Sequence, residues 1–82
     1  MPYRYVIDQV ADETMALLPR REQRRLRDLF RRLAEHPFAE SEQRVVDADG
    51  RVNDVITTGR FVVTYWVDHA VSQVRIAAVE FL

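Results

Sequence analysis

The hydrophobic period of this chain changes from helical to strand-like at Pro37-Phe38, and that change constrains the fold more than any other feature. Before it, Leu26, Leu29, Phe30 and Leu33 recur at i, i+3, i+4 and i+7, so they share one face of a helix. After it come short runs rich in Val, Thr and aromatic residues, separated by polar turns, which is the pattern of strands. A helical layer followed by a meander of strands is an α+β arrangement, with the apolar helix face buried on one face of a sheet.

The long helix is expected over Arg20–Glu35. Pro19 suits a helix start, where its missing amide is not needed. Pro37 ends the helix by restricting His36. Upstream, Tyr3, Tyr5 and Ile7 alternate with Arg4, Val6 and Asp8, so Tyr3–Val10 reads as a strand. A short helix over about residues 12–18 should follow, capped by Asp12, with Met15, Leu17 and Leu18 on its buried side. Pro19 breaks it.

Downstream, Phe38–Gln43 is a polar connection and Arg44-Val45-Val46 a short strand. Asp47-Ala48-Asp49-Gly50 forms a turn in which Gly50 takes positive φ. Strands follow over Arg51–Thr57, Arg60–Asp68 and Gln73–Phe81, joined by turns at Thr58-Gly59 and His69–Ser72. In the last strand Val74, Ile76 and Ala78 alternate with Gln73, Arg75 and Ala77. The expectation is one domain spanning residues 1–82, of order β-α-α-β-β-β, with two N-terminal helices on one face of a small antiparallel sheet.

Composition narrows the class. A chain of this size buries roughly 60% of its unfolded surface, so stability is expected to be marginal. There is no cysteine, which suggests a cytoplasmic protein held by packing alone. The N-terminus Met1-Pro2-Tyr3-Arg4 shows no signal-peptide pattern, and no apolar run is long enough to span a membrane. With only His36 and His69, no metal site and no cofactor are expected. Asp47-Ala48-Asp49-Gly50 lacks the glutamate that would complete a calcium loop; Thr58 stands there.

All twelve basic residues are arginine, and seven lie between Arg20 and Arg32. Against Glu22, Asp28 and Glu35 these give residues 20–35 a local charge of +4. Residues 40–54 carry Glu40, Glu42, Asp47, Asp49 and Asp54 against Arg44 and Arg51, a local −3. Arg20, Arg24, Arg27 and Arg31 fall on one flank of the helix; Arg21, Arg25 and Arg32 fall on the other. Asp28 is placed to pair with Arg32. The flank is either a solvated helix face, a site for acidic polypeptide, or a site for RNA phosphates.

The chain resembles the RelE/ParE toxin superfamily of bacterial type II toxin–antitoxin modules. The resemblance rests on the strand Tyr3–Val10, on the helix pair ending Leu33-Ala34-Glu35-His36-Pro37-Phe38, and on Gly59–Asp68 followed by Val74–Val79. It covers nearly the whole chain. It implies a toxin neutralised by an antitoxin protein, as a hetero-oligomer with it or as a homodimer. ParE-like members bind DNA gyrase; RelE-like members cut messenger RNA on the ribosome. The RNA-cutting members place an arginine near the start of the strand after the Gly turn, and further basic and tyrosine residues after the last strand. Here Phe61 stands at that position, with Arg60 one residue away and so on the opposite strand face, and the sequence given ends at Leu82. The reading is therefore a ParE-like, protein-binding toxin, with enzyme activity left open. The alternatives are a ribosome-dependent endoribonuclease with a rearranged site, or a non-catalytic family member that only binds its partner.

RNA cleavage needs a base for the 2′-hydroxyl, a cation for the phosphorane and a proton donor for the leaving oxygen. Arg51, Arg60 and Arg75, with Arg44, are the candidate cations; Tyr65 and His69 are the candidate acid and base. Arg51 and Arg75 share a sheet face in one register. The competing structural role for these arginines is to lie across apolar surface, or to pair with Asp54 or Glu80. Asp68 is placed to orient His69. Of Tyr65 and Trp66, on opposite strand faces, at least one should be core and the other exposed for contact. Partner contacts are expected at Arg20, Arg24, Arg27, Arg31, Trp66 and Phe81.

Overall fold

A computed structural model describes residues 2–39 and 41–82. Met1, and Glu40 of the acidic stretch, lie outside the described residues. The order of elements is β1 (Arg4–Ile7), α1 (Gln9–Ala16), α2 (Arg20–Glu35), β2 (Gln43–Val46), β3 (Val52–Thr58), β4 (Phe61–Asp68) and β5 (Gln73–Phe81). The sheet runs β1-β5-β4-β3-β2. Strands β2 to β5 form the expected antiparallel meander, but β1 lies parallel to β5, with Tyr5 opposite Val74 and Ile7 opposite Ile76. The sheet is thus mixed, and the short strand expected at Arg44–Val46 is present as β2, a fifth strand that the order β-α-α-β-β-β left out. The parallel pairing arises because the chain crosses over through both helices before the meander brings β5 back beside β1.

Helix α2 has the expected limits, because the prolines at its ends act locally. The carbonyl of Pro19 accepts from the amides of Glu22 and Gln23, and His36 closes the helix with its amide on Arg32 O. Helix α1 starts earlier than expected. Asp8 occupies the cap position without a side-chain cap bond, and Asp12 lies inside the first turn. The buried side of α1 is Ala11 and Met15, followed by Leu18; Leu17 points to solvent at 87% exposure. Two residues past Met15 and so about 200° round the helix from it, Leu17 faces away from the side formed by Ala11, Met15 and Leu18.

The core lies between the helices and one sheet face. Leu26, Leu29 and Phe30 of α2 meet Val63 and Tyr65 of β4 and Val74, Ile76 and Val79 of β5. The Phe30 ring packs 5.6 Å from that of Tyr5. The register shifts at Thr64/Tyr65: Thr64 pairs with Ala78 but Tyr65 with Ile76, which leaves Ala77 as an extra residue. This bulge turns Val79, not Ala78, to the helix side, so Ile76 and Val79 are both buried at a spacing regular alternation would forbid. Gly59, at φ 56°, sits in the β3–β4 turn and Gly50, at φ 79°, in the β2–β3 turn.

Candidate functional site

Helices α1 and α2 pack over β1 and β5 and leave part of the helix-side face of β2 and β3 open. A groove of about 370 Å³ lies there, between that face and the end of α2. Its apolar wall is Leu33, Pro37 and Phe38 on one side and Val52 and Val67 on the other. His36, His69, Arg44, Asp54 and Tyr65 supply its polar groups. Phe38 is 78% exposed at the rim, as is Val52 at 51%; Val46, the strand partner of Val52 just outside the groove, is 64% exposed.

The polar groups are held by specific bonds. Arg44 and Asp54 sit opposite each other on β2 and β3, and Arg44 Nε donates to Asp54 Oδ1 at 3.3 Å. Ser41 Oγ donates to the same oxygen at 2.7 Å. His69 does not pair with Asp68. Its Nδ1 lies 2.8 Å from the Tyr3 hydroxyl, and its ring stacks flat on Phe38 at 5.0 Å. Asp68 instead accepts from the amide of Ala70. Tyr65 is nearly buried, and burial, reinforced by the negative charge of Asp54, pushes its phenol above the ordinary value. At neutral pH it is a hydrogen-bond donor, not a base.

The five candidate catalytic residues fall in three places. Tyr65 and His69 share the groove. Arg51 and Arg75 share the sheet face away from the helices: Arg75 pairs in register with Trp66, and the Arg51 guanidinium lies 4.2 Å from the Trp66 ring centroid. Arg75 is bonded to Asp8, not to Glu80, and Asp54 is taken by Arg44. Arg60 is in the β3–β4 turn, where it pairs with Glu22 of α2 at 2.6 Å and approaches the rings of Phe61 and Phe81. The sheet therefore separates the arginines at 51 and 75 from the tyrosine and histidine.

Of the candidate contact residues, Trp66 lies on the sheet face away from the helices and Phe81 packs 5.2 Å from Phe61 at the far end of β5. Arg20, Arg24, Arg27 and Arg31, with Gln23, line a shallow depression along α2. Asp28 pairs with Arg31, not with Arg32. His36 and Asp54 were not singled out as site residues in the sequence. The available signal for His36 was its place before Pro37, which puts it at the helix end facing the turn after β4. Among the described residues, no group of three or more His, Cys, Asp or Glu could hold a metal ion, and no helix is long and apolar enough to cross a membrane.

Two helices on one face of a five-stranded mixed sheet in this order make a RelE-like fold. At 17% identity the chain superposes on a chain of the toxin–antitoxin complex RelBE2 from Mycobacterium tuberculosis with a TM-score of 0.81, covering 100% of both chains. It also superposes on a chain of the archaeal RelE–RelB complex from Pyrococcus horikoshii, with a TM-score of 0.77 at 18% identity, covering 99% of this chain and 96% of that one. No protein-family model matches the sequence, and no curated protein matches it.

Proposed function

We propose that this chain is the toxin of a type II toxin–antitoxin module, neutralised by a cognate antitoxin, and that it acts by binding a protein target. The fold supports the toxin class, since the two similar structures described above are toxin–antitoxin complexes. The observation that carries protein binding is the open groove with its exposed apolar rim at Phe38 and Val52, beside exposed Val46. Apolar surface gathered around a groove marks a site where another chain docks. The groove's one arginine is offset by Asp54, which suits a peptide better than a phosphate. This favours the gyrase-directed reading over the RNA-cutting one.

One observation favours the RNA-cutting reading: His36, His69 and Arg44 line a single groove over Tyr65. Two imidazoles and a guanidinium are the groups that general acid–base cleavage of a phosphodiester uses.

Expression of the chain alone in a bacterial host separates these readings. Growth arrest that the product of the neighbouring gene relieves is expected. Primer extension on a translated message should show no cuts, and purified protein should inhibit supercoiling by DNA gyrase. Cuts that vanish in His36→Ala/His69→Ala would replace protein binding with RNA cleavage. Growth without arrest would leave a chain that only binds its partner. Replacing Arg51, Arg60 and Arg75 together by alanine should leave arrest intact while the chain stays soluble.

A further inference from the structure

Away from the groove, α2 carries a row of cations that its own fold leaves unbalanced. Arg20, Arg24, Arg27 and Arg31 follow one another at i, i+4, i+7 and i+11, a ridge about 16 Å long. Neighbouring like charges at these spacings destabilise a helix. A helix arranged for stability alone would alternate them with acids. Here only Arg31 has one, Asp28; Arg20, Arg24 and Arg27 have no ion-pair partner among the described residues. Arg20, Arg24 and Arg31 are exposed, and the depression between them, about 240 Å³, is floored by Gln23. Arg31 also borders a second depression of about 290 Å³ with Tyr3, Arg4, Tyr5 and Glu35, where the acid and the two tyrosines end the cationic row at the edge strand β1.

We infer that this ridge docks an acidic polypeptide segment whose carboxylates recur at helical spacing. Guanidinium groups bind carboxylates through paired, geometrically fixed hydrogen bonds, and a helix with acids at i, i+4 and i+7 presents them in the same period as the arginines. Nucleic acid fits less well. No Trp, Tyr or Phe lines the α2 depression for bases to stack on, and residues 40–54 carry a local −3, in a chain of net charge −1, that works against a polyanion of greater length. The ridge shares no residue with the groove, so the inference does not rest on the toxin reading.

The test is fluorescence anisotropy with the full chain and two labelled probes: a helical peptide of about 15 residues with glutamates at i, i+4, i+7 and i+11 in an alanine background, and a single-stranded RNA of the same length. The peptide should bind, with affinity falling as salt rises, and Arg24→Glu/Arg27→Glu should weaken it at least about tenfold. Arg24→Gln/Arg27→Gln should weaken it less, and Arg51→Glu, on the other side of the sheet, should leave it unchanged. Circular dichroism of each variant should match wild type, since the substituted positions lie outside the core. Failure of the peptide to bind at low salt, or equal binding by the charge-reversed variant, overturns the proposal. So does RNA binding tighter than peptide binding and lost in the same double variant, which would make the ridge a phosphate site.

Discussion

Arg75 on β5 donates from both Nε, at 3.2 Å, and Nη2, at 2.8 Å, to one oxygen, Oδ1 of Asp8. Asp8 is the residue at which β1 ends and α1 begins, and its amide extends the β1–β5 pairing by donating to Ile76 O. The pair therefore pins the crossover between strand and helix from the side opposite the core. Both side chains are about a third exposed, at 35% and 31%, so water screens the attraction. Replacing Arg75 by alanine should cost about 1 kcal/mol, between the values for exposed and buried charged hydrogen bonds. In a chain this small that is a fall in melting temperature of about 4–8 °C, readable by circular dichroism. Arg75→Lys, which keeps the charge but not the two-donor geometry, should recover part of it.

The core makes a sharper contrast. Phe30 is fully buried against Tyr5 and the sheet, whereas Leu17 is almost wholly in water. Phe30→Ala should destabilise by about 3–5 kcal/mol, enough to leave so small a domain largely unfolded at 37 °C. Leu17→Ala should change stability by less than about 0.5 kcal/mol. Urea unfolding of the two variants checks both values. A large loss at Leu17 would mean that the chain after Ala16 takes another path in solution, with Leu17 packed inward.

The α2 apolar face was legible because Leu26, Leu29 and Phe30 repeat with a local period, and its ends because prolines act on adjacent residues. Leu33 belongs to that pattern but is only half-buried, since it stands at the groove where the helix layer stops covering the sheet. The parallel partner of β1 was not legible, because it is set by a strand some seventy residues away. Nor was the bulge at Ala77, since Ala77-Ala78-Val79 offers no side chain that marks which alanine is extra. The site follows the same rule. Parity along β4 correctly separates Tyr65 from Trp66. Which arginines join each of them depends on inter-strand register, and that sent Arg51 and Arg75 to Trp66 and Arg44 to Tyr65.

Asp47 should make the β2–β3 hairpin sensitive to acid. Its Oδ2 accepts from Asn53 Nδ2, and its Oδ1 accepts from the amides of Arg51 and Asp49. The Asn53 bond first, and the Arg51 amide next, hold its carboxyl below the ordinary value of 3.8. A depressed folded-state value means that the stabilisation is fully present above the unfolded value and is lost as pH falls through the lower folded one. Asp47→Asn should therefore melt below wild type at pH 6, and the difference should shrink as pH is lowered below about 4. Thermal melts across that range give the answer; a constant offset would show that the lost charge is not what the hairpin uses.

Tyr65 provides the opposite case at the alkaline end. Its phenol is held above the ordinary value of 10.0 by burial, with Asp54 adding to the effect. Because the folded state holds the neutral form more tightly than the unfolded chain, the contribution to stability is complete below about pH 10 and disappears as pH rises through the raised folded value. An ultraviolet titration should show one of the three tyrosines ionising late, and Tyr65→Phe should remove that step while changing stability at pH 7 by less than about 1 kcal/mol. The same variant bears on the groove. A phenol that stays protonated at neutral pH cannot serve as a base, so under protein binding Tyr65→Phe keeps its growth arrest. Loss of arrest in a variant that melts like wild type would instead assign the hydroxyl a direct role, as proton donor to a leaving group or as hydrogen-bond donor to the docked chain, and primer extension separates the two.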